Sequence, residues 1–276
     1  MKRCIALLFI AFLAVSCSKK EKFLLRFQPE KGSMKTMVMN LTTKMGGMPM
    51  ETKMGMTTEM KIANVSPEGE VEVEATYTHV MMNVDAMGRS IGFDSAKDTI
   101  DMNDPSSVAY LGLAALLNKP LAMKMDKLGK LTLAPDILSV YPDSLRSLLG
   151  SQGSSQGSQM FDNMFSVFPE EEIGLGDSWE RESKIGTASG PVSMKATYTV
   201  DKVNESDVLL KMEGTFEGEM AGEMGASIKM TGTMTGTLTI DRKTGWTVST
   251  DMVQKIDMNT MGMKMEATNT ISITTK

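Results

Sequence analysis

The sequence predicts a mainly β (α+β) protein built on one large, curved antiparallel sheet or half-barrel, with a few short helices as a lid. Three observations lead to this prediction. Apolar and polar residues alternate along several long segments, turn-forming residues separate those segments, and glycines interrupt the apolar rows. Alternation with a period of two places the apolar side chains on one face of a strand. Because these segments exceed the usual strand length of about 5 to 6 residues, we expect the sheet to be strongly coiled.

Six segments show this alternation, and methionine occupies many of their apolar positions. In one of them, Val71, Val73 and Tyr77 alternate with glutamate and threonine, and His79 and Met81 share their parity. Alternate residues of a strand point to the same face, so we expect His79 and Met81 on the apolar face. The six segments are 48–62, 71–81, 194–200, 208–220, 228–240 and 261–273.

Glycines interrupt the apolar rows of two of these segments. A glycine inside a strand lets the sheet bend sharply or lets another group come close to the backbone. The glycines in question are Gly214, Gly218, Gly232 and Gly236. Turn-forming residues at 67–69, 204–207 and 241–245 are placed to connect neighbouring strands.

The middle of the chain departs from the β pattern. Asp104 and Pro105 are suited to cap and start a helix, and the residues at 118–120 are suited to end it. We also expect helical turns over 136–149 and 159–167. These elements are the predicted lid of the sheet.

A segment of serine, glutamine and glycine at 151–158 has no apolar residue to bury and is typical of a flexible linker. It divides the mature chain into an N-terminal β half with a helical insert, 23–150, and a C-terminal β half, 159–276. We expect the halves to form one composite domain. The segments 60–65 and 198–203 resemble each other and precede similar valine-containing segments, which is a faint indication of internal duplication.

The N-terminus has the features of an export signal. Two basic residues precede an apolar run over 5–15, which is too short to span a bilayer, and small residues then precede Cys17. This order resembles the lipobox of bacterial lipoproteins and implies a signal peptide, 1–16, that is removed before Cys17 receives lipid. A short polar tether, 17–22, follows. We expect a lipid-anchored protein of the cell envelope, in the outer membrane and facing the periplasm.

Composition limits the remaining classes of function. The mature chain keeps one cysteine, Cys17, so it has no second thiol with which to form an intramolecular disulfide. A formal net charge of -5 gives no indication of nucleic-acid binding. The sequence has 29 methionines beside 9 phenylalanines and 2 tryptophans, so methionine takes much of the role that aliphatic and aromatic residues usually have in a core.

Three short motifs resemble a known family. Phe168 and Pro169, the run Gly-Leu-Gly-Asp-Ser-Trp at 174–179 and the run Asp-Arg-Lys-Thr-Gly-Trp at 241–246 are similar to those of uncharacterised lipoproteins from Bacteroidota. The resemblance implies origin and export and brings no activity with it. A curved sheet covered by helices is also similar in architecture to lipoprotein carriers and to lipid-binding lipoproteins of mycobacteria.

No enzyme site is evident in the sequence. Gly176, Asp177 and Ser178 are similar to a lipase signature, but the single histidine, His79, lies within a strand segment, and the downstream Asp-x-x-His block of that lipase family is missing. A turn at the start of a strand is therefore the better interpretation. The aspartates at 94, 98, 101 and 104 lack the glycine and glutamate spacing of a calcium loop and indicate a solvated turn. We expect no cofactor and no metal site.

The methionine face is the candidate for function. We expect a concave apolar face that binds a lipid or another apolar small molecule, with no protein partner identified. The residues expected to line it are Met50, Met54, Met56, His79, Met212, Met230, Met234 and Met263. Three alternatives stay open: a structural or interaction protein whose methionines form a closed core, copper(I) binding by thioethers, and oxidant scavenging by methionine.

Overall fold

The computed structural model describes residues 21–100, 110–141, 143, 165, 167–187, 190–221, 227–260 and 263–276. The predicted signal peptide, Cys17, the predicted linker at 151–158 and the predicted start of the central helix lie outside these residues. So do most of the helical turns expected over 136–149 and 159–167.

Twelve strands form one antiparallel sheet, which confirms the predicted fold class. Two short helical elements accompany it, helix α1 at Leu111–Ala115 and a 3₁₀ turn at Ile137–Val140. The strands are β1 Met34–Met45, β2 Met50–Val65, β3 Val71–Ala86, β4 Arg89–Asp94, β5 Pro120–Met125, β6 Leu131–Leu133, β7 Ser178–Thr187, β8 Gly190–Val203, β9 Asp207–Ala221, β10 Ser227–Asp241, β11 Thr247–Thr260 and β12 Met263–Thr275.

The two halves of the chain join in the middle of this sheet. The strand order is β6-β5-β3-β2-β1-β12-β11-β10-β9-β8-β7, with β4 paired to β3 off this path. The first and last long strands, β1 and β12, are hydrogen-bonded neighbours, with Met39 opposite Ile273 and Leu41 opposite Ile271. The sheet therefore forms one continuous surface across both halves.

The sheet curls so far that its two ends approach each other. Leu128 and Lys130, in and beside the turn between β5 and β6, line the same cavity as Ala196 and Tyr198 of β8. Glycine contributes to the coiling: an added Cβ at Gly232 would stand only 2.3 Å from the carbonyl oxygen of Lys255 on the neighbouring strand. Only a residue without a side chain allows the strands this approach.

The predicted turns are present. Two β-bulges occur at equivalent positions in the N-terminal and C-terminal halves of the chain. Ala63 in β2 and Asp201 in β8 are each an extra residue without a ladder partner, since the register shifts between Ile62 and Asn64 and between Val200 and Lys202. Both bulges fall at the fourth position of the two segments that resemble each other, 60–65 and 198–203. The similarity between the two halves thus extends to a specific backbone irregularity.

The structure corrects the expected face of His79 and Met81. Strand β3 has a bulge at Thr78, because Thr57 pairs with His79 while Thr58 pairs with Tyr77. Tyr77 and Val80 are therefore both buried, and the parity of the strand reverses after Tyr77. His79 and Met81 lie on the polar face, where Met81 covers Gly55 of β2.

Candidate functional site

The apolar face of the sheet is fully buried near one end and half-buried near the other. Near the second end, six methionines from β2, β3, β10, β11 and β12 keep part of their surface in solvent. We call these residues the methionine patch: Met54, Met82, Met230, Met252, Met258 and Met265. Neighbouring strands pair them directly, with Met54 opposite Met82 and Met258 opposite both Met230 and Met265. The patch therefore forms two groups of three on the same face, with Met54, Met82 and Met252 in one row across the sheet and Met230, Met258 and Met265 in another.

The other end of the apolar face is closed by an aromatic plug, which consists of Phe27, Phe165, Phe168 and Trp246. Phe27 packs edge-on against Trp246 at a centroid distance of 5.2 Å. It also contacts Phe165 at 5.9 Å. Burying an aromatic side chain of this kind stabilises a fold by about 1.5–3 kcal/mol. The plug therefore contributes to the stability of this end, together with the buried aliphatic residues around it.

Main-chain contacts hold the N-terminal segment across the closed end. The Phe27 amide donates to the Lys127 carbonyl at 3.0 Å, and the Gln28 amide donates to the Thr244 carbonyl at 2.9 Å. The guanidinium of Arg26 donates to the carbonyl oxygens of Pro169 and Glu170 at 2.7 and 2.6 Å. The segment that follows the predicted lipid tether thus joins both halves of the sheet.

The family-like motifs belong to this closed end. In the motif at 174–179, the Asp177 side chain accepts a hydrogen bond from the Gly174 amide at 3.0 Å, and Gly176 has a positive φ of 83°. The hydroxyl of Ser178 lies 3.0 Å from that of Thr199. This geometry is a turn at the start of β7, as predicted. In the motif at 241–246, Gly245 also has a positive φ and lies against the backbone of Arg26 and Phe27.

Bulky residues and glycines alternate between β9 and β10 on the apolar face. Phe216 faces Gly232, Met234 faces Gly214, and Met230 faces Gly218. An added Cβ at Gly232 would stand 2.2 Å from the Phe216 ring, so the ring lies over the glycine. The glycines therefore provide space for large side chains while the sheet stays strongly coiled.

A hydrogen-bonded polar row crosses the apolar face in its centre. Thr43 of β1 donates to the Asn269 side chain of β12 at 2.8 Å, and Asn269 donates to Gln254 of β11 at 3.2 Å. The apolar rows of β2, β3 and β8–β12 contain no charged residue at the positions that the structure describes. The surface thus offers neutral hydrogen-bonding groups to a ligand, but no ion pair in its middle.

The structure places most of the predicted lining residues on the apolar face. Met54 and Met230 are half-buried, while Met56, Met212 and Met234 are buried. Met50 is half-buried at the start of β2, and Met263 is 64% exposed at the start of β12. Three strands separate Met54 from Met230 along the sheet, so these residues form a broad surface rather than one compact pocket. Met82, Met252, Met258 and Met265 were not in the predicted set.

His79 takes part in a separate cluster on the polar face. Its Nε2 lies 2.7 Å from Oδ1 of Asp94, and the Lys97 ammonium lies 2.8 Å from Oδ2 of the same carboxylate. Lys97 and His79 hold the pKa of the Asp94 carboxyl well below its usual range. The Asp98 side chain accepts from the Asp94 amide at 2.7 Å, so this part of the acidic segment is a self-contained turn. Asp101 and Asp104 lie outside the described residues.

A broad depression lies largely among polar side chains. Its volume is about 750 Å³, and it crosses β7–β10 where Glu182, Lys184, Lys195 and Glu217 contribute both signs of charge. Lys195 pairs with Glu180 at 2.9 Å. The described residues include no group of three His, Cys, Asp or Glu side chains suited to a metal ion. They also include no helix that is long and apolar enough to cross a membrane.

Comparison with solved structures finds a similar fold in lipovitellin. The chain matches a structure titled "Lipid-protein interactions in lipovitellin" with a TM-score of 0.50 and 9% identity, over 91% of this chain. The chain spans only 25% of that lipovitellin chain. A Rh. blastica porin mutant covers 88% of this chain at 8% identity, but its TM-score of 0.21 is too low to indicate a shared fold.

At the level of sequence, residues 68–247 match a family of unknown function, DUF6263. The matched region includes all three family-like motifs, Phe168 with Pro169, 174–179 and 241–246. No curated protein matches the chain significantly. The chain belongs to the DUF6263 family.

Proposed function

We propose that this DUF6263 protein binds an apolar ligand, the acyl chain of a lipid, on the methionine patch. The observation that carries the proposal is the contrast along one apolar face: the plug end is closed, while six methionines at the other end stay half-buried. Soluble proteins rarely leave a large contiguous apolar surface in water without a binding role. Covering such surface releases about 25 cal/mol for each Å² removed from water.

Two further features support an acyl chain. Methionine has a flexible thioether that adapts to ligands of varied shape, and the patch has no charged neighbour in the central apolar rows. The lipovitellin structure that shares this fold is described by its title as a study of lipid–protein interactions. That likeness concerns architecture, and the lipid ligand of the present chain is our proposal.

We also propose that lipid on Cys17 anchors the mature protein to the outer membrane on its periplasmic side. Cys17 precedes Glu21 by only a few residues, each of which spans at most about 3.6 Å. Arg242, whose Nη2 lies 2.9 Å from Glu21, belongs to the turn at the closed end of the sheet. The anchor would hold the closed end near the membrane and leave the methionine patch at the distal end.

Binding is tested first with native mass spectrometry of the mature protein and then with a neutral fluorescent probe, diphenylhexatriene. Met230→Glu places a charge in the patch, and we expect it to weaken probe binding at least tenfold. Thr233→Glu on the polar face of the same strand, opposite Thr215 and Lys255, is the matched control and should leave binding unchanged. Loss of co-purifying lipid in the first variant alone would support the proposal.

The structural and copper hypotheses give different results in the same experiments. A protein that never carries lipid and does not bind the probe would be a structural or interaction protein with a closed core. Bound copper in the mass spectrum, released by a copper(I) chelator, would favour thioether coordination. Incorporation of labelled palmitate by the full chain, and its loss in Cys17→Ala, tests the anchor independently.

A further inference from the structure

A second, smaller cavity lies where the two ends of the curled sheet meet. Its volume is about 290 Å³, and it lies between β7–β8 and the turn that joins β5 to β6. Met194, Ala196 and Tyr198 of β8 give it an apolar wall, and Lys130, Arg181 and Ser183 give it polar groups. Met194 also packs against the apolar core. The cavity therefore lies at the edge of the apolar face and has polar groups on its other side.

The Ser183 hydroxyl is buried in this border without a hydrogen-bond partner among the described residues. It is the one buried side-chain oxygen or nitrogen in the described part of the chain with this property. Buried hydroxyls are almost always paired, because a hydroxyl that is buried without a partner loses its hydrogen bonds to water, and this loss costs free energy. A water molecule or a bound ligand with a hydrogen-bond acceptor would satisfy this hydroxyl.

Three cations, Lys130, Arg181 and Lys184, line the same space together with the carboxylates of Glu170 and Glu182. The Arg181 guanidinium donates to the Phe168 carbonyl and lies 3.6 Å from the Glu170 carboxylate, which is 73% exposed. Lys130 forms no ion pair with any residue that the structure covers. The charged side chains that line the cavity therefore sum to a net charge of +1, whereas the centre of the apolar face carries no charged side chain.

We infer that this cavity receives the anionic headgroup of the ligand, a carboxylate or phosphate, while the acyl chain extends along the apolar face. The inference rests on the proposed function and adds the class of lipid. Guanidinium, ammonium and hydroxyl groups all donate hydrogen bonds, and a carboxylate or phosphate accepts several at once. The position of the cavity beside Met194 lets one molecule contact both the donors and the apolar surface.

The test compares three lipids with the same acyl chain by displacement of diphenylhexatriene: lauric acid, lauroyl lysophosphatidic acid and methyl laurate. The mature wild-type protein should bind at least one of the two anionic lipids about tenfold or more tightly than the neutral ester. Which of the two binds better identifies carboxylate or phosphate as the natural headgroup. The preference should weaken as salt is added.

Two variants locate the headgroup. Ser183→Ala and Lys130→Met should each reduce the anionic preference at least fivefold and leave the affinity for methyl laurate unchanged. Because the Ser183 hydroxyl has no partner, Ser183→Ala should not lower the melting temperature of the ligand-free protein. Lys229→Met, an equal loss of charge on the exposed polar face of β10, is the control and should keep the preference.

The outcomes separate the two proposals. If the wild-type protein binds all three lipids equally, or if Ser183→Ala and Lys130→Met keep the full anionic preference, the headgroup inference is wrong and the apolar site stands. If none of the three lipids displaces the probe and no lipid co-purifies, the proposed function itself is overturned.

Discussion

The two ends of one apolar face are built from different residues and are buried to different degrees. At the closed end, Phe27 and Trp246 are 1% and 4% exposed, and rigid rings interlock with them. At the other end, the methionine patch is half-buried, and its side chains are flexible thioethers. The same sheet thus carries a stable core at one end and an adaptable surface at the other.

This difference has a physical consequence for binding. A core of rings and branched residues loses stability when any group is removed, because the neighbours cannot fill the space. Methionines can change rotamer around a ligand at little cost, since three rotatable bonds give them many shapes of similar energy. The plug end can therefore stabilise the fold while the methionine patch adapts to a bound ligand.

The largest expected effect comes from removing a ring from the plug. Phe27→Ala should lower the free energy of unfolding by about 3–5 kcal/mol, because a cavity replaces a fully buried ring. Met252→Ala in the patch should cost less than half as much, since its side chain already contacts water. Urea denaturation followed by circular dichroism measures both. Equal losses would contradict the division into two ends.

The second prediction concerns glycine on the apolar face. Gly232→Ala should destabilise the protein by about 1–3 kcal/mol, because its Cβ would overlap the Phe216 ring and the Lys255 carbonyl. Gly112→Ala in α1 is the control, since no atom lies within 4 Å of its added Cβ. In a helix this change should be neutral or stabilising by up to about 1 kcal/mol. Thermal melts of the two variants give the comparison.

The third prediction uses the buried tyrosines near the core. Burial raises the pKa of Tyr77 and of Tyr198 to about 12. The folded state favours the neutral phenols, so their contribution to stability is complete below about pH 10 and is lost as the pH rises towards 12. Phenolate absorbance should show these two groups ionising late, together with unfolding. Early reversible ionisation of all 4 tyrosines would contradict the burial.

The smallest expected effect on stability is that of mild oxidation. Hydrogen peroxide should modify Met87 and Met263 first, because they are 84% and 64% exposed, and then the methionine patch. Met60, Met123 and Met125 are 0% exposed and should react last. Peptide mass spectrometry measures this order. Patch oxidation should weaken probe binding before the melting temperature falls, and the reverse sequence would argue against a binding role.

Much of the sheet was predictable from local pattern. The segments of β2, β3, β8, β9, β10 and β12 show alternation, and glycine or acidic residues mark the turns between them. Strand β1 was not predicted, although its buried residues Met37 and Met39 also alternate with polar neighbours. The short strands β4, β5 and β6, and also β7 and β11, were not assigned. In β11, the alternation includes Gln254 and Thr250 on the apolar side, which weakens the pattern.

The candidate site was predictable only in part. Met54, Met56, Met212, Met230 and Met234 are on the expected face because alternation is a local property of a strand. His79 is not, because a single bulge at Thr78 reverses every side chain after it. No local pattern in the sequence predicts that bulge. The Ser183 cavity was also missed, since its walls come from β7, β8 and a turn far away in the chain.

The sequence by itself determined the strand pattern, the turns, the methionine-rich face and the features expected of an export signal, because each depends on neighbouring residues. The tertiary structure decided the pairing of β1 with β12, the closure of one end by the plug and the half-burial of the methionine patch. These depend on contacts between residues distant in sequence, such as Phe27 with Trp246. Alternation shows that a face is apolar, and only the folded chain shows which part of that face is covered.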